Sequence, residues 1–264
     1  MENKDQAQRL RVATYNVHKC QGLDRRVRPE RIVEVLREID SDVVALQEVV
    51  SHEGGPREAD QVRFIAEELG MNYCVGETRK HKGGAYGNVL LTRLSLRSSC
   101  NYDISVRGRE ERGCLRADLE VEGLGVLHIF NVHMGTAFLE RRSQVRKLLD
   151  SAILHNEELQ GARIMLGDFN EWTRGLTTRL LGSHMKSADI ANHLRRAKTY
   201  PGVLPFLHLD HIYFDDTLEM EKLTLHRSRK ALIASDHLPL VADFRLNPHD
   251  TFADGSRAGR NGGE

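Results

Sequence analysis

ARIMLGDFNEW, residues 162–172, runs from an apolar stretch straight into an aspartate and an asparagine. Ala162 to Leu166 has the length and composition of a buried strand. Asp168 and Asn170 follow it two residues apart. On an extended chain that spacing puts both side chains on one face and turns Phe169 back into the core. Taken alone, the pair also suits a turn, because such side chains bond their own backbone. A metal ion or a phosphate would use the same two groups.

The same arrangement recurs along the chain. Leu10 to His18 alternates as a strand and ends with Asn16 and His18 on one face. Asp42 to Val50, DVVALQEVV, is a buried strand that ends near Gln47 and Glu48. Residues 113–122 and 125–133 form a hairpin joined at Glu122-Gly123-Leu124, and its second strand ends with Asn131 and His133. A later strand opens on Asp210 and His211, and SDHLPL sets Asp236 and His237 just before the last strand, 239–246. Each residue singly has an ordinary structural explanation as a cap, a turn or a solvated strand end. Converging, they gather several carboxylates, two amides and two histidines in one pocket. Carboxylates packed that closely repel one another and rise in pKa, and a divalent cation removes the conflict. Oxygen donors without a thiolate point to a hard ion, Mg²⁺ or Mn²⁺.

The intervening segments set the architecture. Pro29 opens a helix whose Ile32, Val33, Leu36 and Ile39 share a face. A second helix spans 58–69 and stops at Gly70. Strands follow at about 72–76, 86–93 and 96–106, then a long amphipathic helix over 139–158, irregular helical pieces over 174–196 and a strand at 218–226. Strands in hairpins mixed with strands in β-α-β order predict an α/β fold of mixed sheets packed face to face, with helices outside. One domain is expected over 8–246, followed by a polar, glycine-rich tail, 247–264, expected to be disordered.

Bulk composition narrows the function. The 264 residues carry 38 Lys plus Arg and 38 Asp plus Glu, so the formal net charge is zero. That weighs against broad, non-specific grip on a duplex and favours a small or locally held anion. The four cysteines, Cys20, Cys74, Cys100 and Cys114, form no C-x-x-C pair and read as ordinary thiols. No window is apolar enough to span a membrane, and MENKDQAQRL lacks a signal-peptide core, so a cytoplasmic protein is expected. Nothing calls for an obligate protein partner.

TYNVHKCQG, LQEV, GNVLLTR, FNVHMG, GDFNEW, LDHIYF and SDHLPLVADF occur in this order between residues 10 and 246. The set resembles the endonuclease/exonuclease/phosphatase superfamily, the group of pancreatic deoxyribonuclease, abasic-site endonucleases, inositol-polyphosphate phosphatases and sphingomyelinases. It is most similar to small bacterial members. The resemblance implies a four-layer α/β sandwich with its site at one end, and Mg-dependent hydrolysis of a phosphoester. The substrate is expected to be nucleic acid, with an inositol-phosphate or lipid head-group phosphate as the alternative and an inactive binding protein as a remote one. By motif, Glu48, Asn16 and Asp236 resemble the metal side of the site. Asp168 and Asn170 resemble the pair that handles water and phosphate. His237, oriented by Asp210, would contact the scissile phosphate, and His133 would sit near the leaving group. Arg112 matches a phosphate-gripping arginine, and Asn88 and Asn131 are expected beside the substrate. Pancreatic-type enzymes support the His133 equivalent with a glutamate. Here only Asn88 is offered, which makes His133 an electrophile more than a proton donor. ETRKHKGGAYGN, 77–88, reads as a basic loop open to a second phosphate or to solvent, and PGVLPFLHL, 201–209, as a wall for a leaving group or a packed loop.

Overall fold

Two sheets of six strands carry the molecule. They are seen in a computed structural model described over residues 8–52, 54–55, 60–81, 83–150, 152–171, 175–188, 199–200 and 208–246. The first sheet holds β1 (Gln8–Asn16), β2 (Val43–Ser51), β3 (Asn72–His81), β4 (Gly84–Thr92), β11 (Glu219–Leu225) and β12 (Leu240–Leu246). The second holds β5 (Ser95–Asp103), β6 (Gly113–Val121), β7 (Gly125–His133), β8 (Ala162–Asp168), β9 (Lys186–Ser187) and β10 (Asp210–Phe214). Their orders are β11-β12-β1-β2-β4-β3 and β5-β6-β7-β8-β10-β9. One parallel pair lies at the centre of each sheet, β1 with β2 and β7 with β8, and the other pairings are antiparallel.

Strand alternation then builds four layers. Leu10, Val12, Val43, Ala45 and Leu90 face Leu115, Leu127, Ile129, Ile164 and Leu166 across the gap between sheets. Ala13, Tyr15, Val44 and Leu46 face outward under α1 (Pro29–Ile39) and α2 (Gln61–Leu69), meeting Ile32, Leu36, Val62 and Ile65. Phe130, Val132, Met165 and Tyr213 face outward under α3 (Phe138–Leu148) and α4 (Leu176–Gly182), meeting Val145, Leu148 and Leu181. The expected four-layer sandwich is what forms. Pro29 begins α1, and Asp60 caps α2 by accepting from the Arg63 N–H at 3.2 Å.

Three expectations need correction. Residues 139–158 do not form one helix, because α3 ends at Leu148 and turns follow. There Asp150 Oδ1 accepts from the Ala152 N–H at 3.0 Å, a local bond that competes with continued helix. The stretch 77–88 is no open loop: β3 and β4 zip up to the pair His81↔Gly84. Asn88 and Asn131, expected at the substrate, lie between the sheets at 1 % and 0 % exposure. Residues 201–207 of the expected leaving-group wall, Trp172, residues 189–196 and the expected tail 247–264 lie outside the described residues.

The role of Asn131 follows from a bulge. Between Leu46↔Val89 and Val49↔Gly87, β2 has two residues where β4 has one, and the extra residue Glu48 takes φ 60°. Asn131 reaches across from β7 and donates to the carbonyls of Leu46 and Val89, both at 2.9 Å. Its Oδ1 accepts from Gln47 Nε2 at 2.8 Å. Asn88 Nδ2 donates to the carbonyls of Gly113 and Asn131 at 3.0 and 3.1 Å. These amides therefore join the sheets rather than hold substrate. Asn131→Ala is expected to destabilise the fold by about 2–4 kcal/mol in chemical denaturation, since two buried carbonyls and one amide lose partners. A loss under about 0.5 kcal/mol would show that the crossing bonds do not matter.

Candidate active site

The polar residues converge where the carboxyl ends of both parallel pairs meet. Asn16 ends β1, Glu48 sits in the β2 bulge, His133 ends β7 and Asp168 ends β8. Register places His133, Asp168 and Asp210 in a row across three neighbouring strands. Just before Asp168, Gly167 adopts φ 147°, and an added Cβ would strike the Val132 carbonyl. The strand can approach β7 this closely only with glycine there.

Asn16 couples the sheets. Its Nδ2 donates to Glu48 Oε1 at 3.2 Å and to Asp168 Oδ2 at 3.0 Å. Its Oδ1 accepts from the His18 N–H at 3.0 Å, which fixes the amide so that nitrogen, not oxygen, faces the carboxylates. Asn16 thus brackets Glu48 and Asp168 in this arrangement and presents no ligand oxygen. Sequence alternation put His18 on the Asn16 face of a continuing strand. Instead β1 ends at Asn16, and His18, Lys19 and Cys20 all take left-handed backbone, φ 45°, 57° and 55°.

That turn supplies Lys19, which the alternation argument missed, and brings His18 to the site by a different path. Lys19 Nζ lies 3.0 Å from Glu48 Oε2, and His18 Nδ1 lies 3.3 Å from Asp236 Oδ1. Burial tends to raise the Glu48 pKa, but His133 and Lys19 hold it well below the usual carboxylate range. His133 gains charge only near pH 4, so at neutral pH Lys19 is the cation that keeps Glu48 ionised. Asp236 behaves similarly: burial opposes its charge, and the His18 bond with nearby His237 holds its pKa down.

His237 and His133 flank Asp168 in opposite protonation states. Their Nε2 atoms lie 3.7 and 3.8 Å from Asp168 Oδ2. His237 Nδ1 is 2.9 Å from Asp210 Oδ2. Burial opposes a charge on His237, but Asp210 and Asp168 outweigh it and push its pKa up to about 10. His237 is therefore an imidazolium. His133 is buried beside the Arg112 guanidinium, and both causes lower its pKa, to about 4. Arg112 Nη1 lies 3.3 Å from His133 Nδ1. Arginine can only donate, so Nδ1 accepts and the single ring proton sits on Nε2, facing Asp168. Arg112, and not Asn88, is thus the side chain that supports His133. It is 8 % exposed, its Nη2 donates to Glu110 at 2.8 Å, and its buried Nε has no hydrogen-bond partner among the described residues.

Asp168 itself is raised in pKa, first by burial, with Asp210 adding to the rise. The Asn170 N–H donates to Asp168 Oδ1 at 2.9 Å, and Asn170 Nδ2 donates to the Met134 carbonyl at 2.9 Å. Asn170 is left-handed, φ 48°, rather than extended, while Phe169 is fully buried as expected. Ser235 Oγ donates to the Asn16 carbonyl at 2.8 Å and ties the Asp236–His237 loop to β1. Tyr200, also unforeseen, sets its ring 4.9 Å from that of His237. His211 packs against Phe169 and Tyr213, away from this chemistry.

The donor set fits a hard divalent cation. Four carboxylates, Glu48, Asp168, Asp210 and Asp236, face the charges of Lys19 and His237, with His18 on Asp236. Asp168, Asp210 and His237 bring one ligand atom each within 4.8 Å of one another. Yet His237 holds its proton to about pH 10 and Asp210 holds its Nδ1, so that ring is a poor ligand. Glu48 is the better anchor, because its cationic partner among the described residues is Lys19, which an ion can displace.

A model of the endonuclease/exonuclease/phosphatase family matches residues 13–237. The chain belongs to that family. Its members include nucleases, phosphatases and phosphodiesterases, and they generally depend on a divalent metal. Over 258 residues it is 29 % identical to YbhP of Escherichia coli K12, a protein named as uncharacterised, covering 93 % of this chain and 100 % of YbhP. A solved mannosyl-6-phosphatase of Bacteroides thetaiotaomicron superposes with TM-score 0.74 at 17 % identity, over 90 % of this chain and 100 % of that one. The catalytic domain of human Nocturnin, solved with a bound sulfate, superposes with TM-score 0.71 at 20 % identity, over 90 % and 95 %. At such identities these likenesses show the shared fold and carry no substrate over. Among the described residues, no helix is long and apolar enough to cross a membrane.

Arg112→Gln removes the charge beside His133. The His133 pKa, followed by NMR titration, should then rise, with burial still holding it below its ordinary value. An unmoved titration would mean that burial alone sets it.

Proposed function

We propose that this chain, over residues 8–246 as one catalytic unit, is a divalent-metal-dependent phosphodiesterase acting on DNA or RNA. The observation that carries the reading is the pairing of a charged His237 and a neutral His133 on either side of Asp168, with Glu48 across the gap between sheets. Glu48 would hold the ion with Asp236 beside it, and Mg²⁺ or Mn²⁺ there would supply positive charge for a phosphate oxygen and the leaving oxygen. Asp168, raised in pKa by burial, orients the attacking water and takes up its proton, and Asn170 holds Asp168 in place. His237, fixed by Asp210, donates to a non-bridging oxygen as charge grows on it. His133 Nε2–H faces the same space and donates toward the leaving oxygen, while Arg112 keeps its proton on that nitrogen.

Charge balance favours a diester. Arg112 is committed to His133 and Glu110, so the cations facing the phosphate are His237, the ion on Glu48 and the Lys19 that this ion displaces, and together they do no more than balance the four carboxylates. Among four carboxylates, the single charge of a diester is held more easily than the double charge of a monoester.

With Mg²⁺, bis-p-nitrophenyl phosphate and oligonucleotides should be hydrolysed, and chelation should abolish turnover. Asp168→Asn and His237→Ala should each lower turnover by roughly 10²–10³. Hydrolysis of mannose or inositol monophosphates or sphingomyelin in place of oligonucleotides would replace this substrate by a phosphatase or phospholipase one. Full activity of either variant would sink the assigned chemistry.

A further inference from the structure

The outer face of α3 and α4 combines apolar exposure with unpaired cations. Phe138 is 54 % and Leu139 71 % exposed, and both stand in the first turn of α3. From there a groove of about 430 Å³ runs between the helices, lined by Phe138, Arg142, Arg146, Leu149, Leu176, Arg179 and Leu180. Residues 136–149 and 175–183 hold five cations against one carboxylate, Glu140, which is buried. Arg141 and Lys147 are tied to backbone carbonyls, and Arg179 Nε donates to the Gly175 carbonyl at 3.4 Å while its terminal nitrogens stay exposed. No carboxylate among the described residues pairs with Arg142, Arg146 or Arg179. A chain of zero net charge thus concentrates positive charge on this face.

Topology ties the groove to the active site. β7 and β8 are parallel, so α3 must carry the chain back from the carboxyl end of β7 to the start of β8. Its first residue lies five after His133, and its 11 residues run away from the site for about 16 Å. The groove therefore leads away from the end of the sandwich that carries the site. A flat lipid surface laid on it would leave the site opening sideways, whereas a linear polyanion cleaved at the site would continue along it. We infer that α3 and α4 hold the single-stranded nucleic acid that flanks the scissile phosphodiester. Arg142 and Arg146, one turn apart, and Arg179 opposite them grip successive phosphates. Phe138 stacks a base next to the site, and Leu149, Leu176 and Leu180 form the floor. An exposed aromatic ring such as Phe138 stacks an unpaired base, which selects a single strand over a duplex. The inference rests on the phosphodiesterase reading and adds the substrate's form to it.

Binding of a fluorescent 12-nucleotide single strand, measured by anisotropy in EDTA so that nothing is cleaved, tests it. The combined variant Arg142→Gln, Arg146→Gln, Arg179→Gln should bind about tenfold more weakly, with the salt slope of log K reduced by about 2. Arg146→Gln alone should fall between. Hydrolysis of bis-p-nitrophenyl phosphate, which reaches only the site, should be unchanged, and an unchanged melting temperature confirms that the variant folds. Equal binding by variant and wild type, or no binding by wild type, overturns the inference even where the small diester is cleaved. Failure to cleave any phosphodiester overturns instead the reading of the site. Loss of binding to anionic lipid vesicles, with oligonucleotide binding intact, would assign the face to a membrane and overturn the nucleic-acid proposal.

Discussion

Like-charge repulsion at one end of the sandwich is the constraint that the rest of the site answers. Asp168 and Asp210 are buried side by side with Glu48 and Asp236 close to them, and a buried carboxylate without a partner is costly. Every neighbour relieves part of that cost. His237 carries a positive charge that faces both Asp210 and Asp168, Lys19 sits on Glu48, His18 sits on Asp236, and Asn16 donates to one carboxylate from each sheet. Where relief comes from a displaceable lysine, the site is open to a metal. Where it comes from a locked imidazolium, the site is poised for a phosphate. The division of labour follows from which partner can leave.

Much of this was legible in the sequence. Asn16, Glu48, Asp168, Asp210 and His237 announce themselves because polar residues terminate apolar strands, and a core has no use for them. The layer order was legible for a related reason, since hairpin and β-α-β spacing alternate along the chain. What escaped was backbone handedness. His18, Lys19, Cys20, Glu48 and Asn170 all take positive φ without being glycine. No composition or period signals that conformation, because tertiary contacts impose it. The swing of Lys19 onto Glu48 was therefore invisible. Asn131 misled for another reason. An amide two residues before a catalytic-looking histidine resembles a ligand, yet its function is to plug a bulge in the opposite sheet.

The two amides at the gap, Asn16 and Asn131, illustrate how a bulge becomes useful. Inserting Glu48 breaks the β2–β4 ladder and frees carbonyls that a core cannot leave bare. Asn131 satisfies them from the other sheet, and in doing so pins β7 to β2 below the point where His133 and Glu48 diverge. The same insertion that aims the carboxylate also supplies the bolt that holds its surroundings.

One consequence reaches beyond the polar residues. Glu48 belongs to one sheet and Asp168 to the other, so their separation is set by the thickness of the apolar filling between them. Leu90, Leu115, Ile129 and Leu166, none of which touches a substrate, act as shims in a gauge. Sequence drift among these positions has to conserve summed volume, not identity, for the two halves of the site to stay in step. A lineage that thins or thickens this filling would retune its chemistry without altering a single polar group.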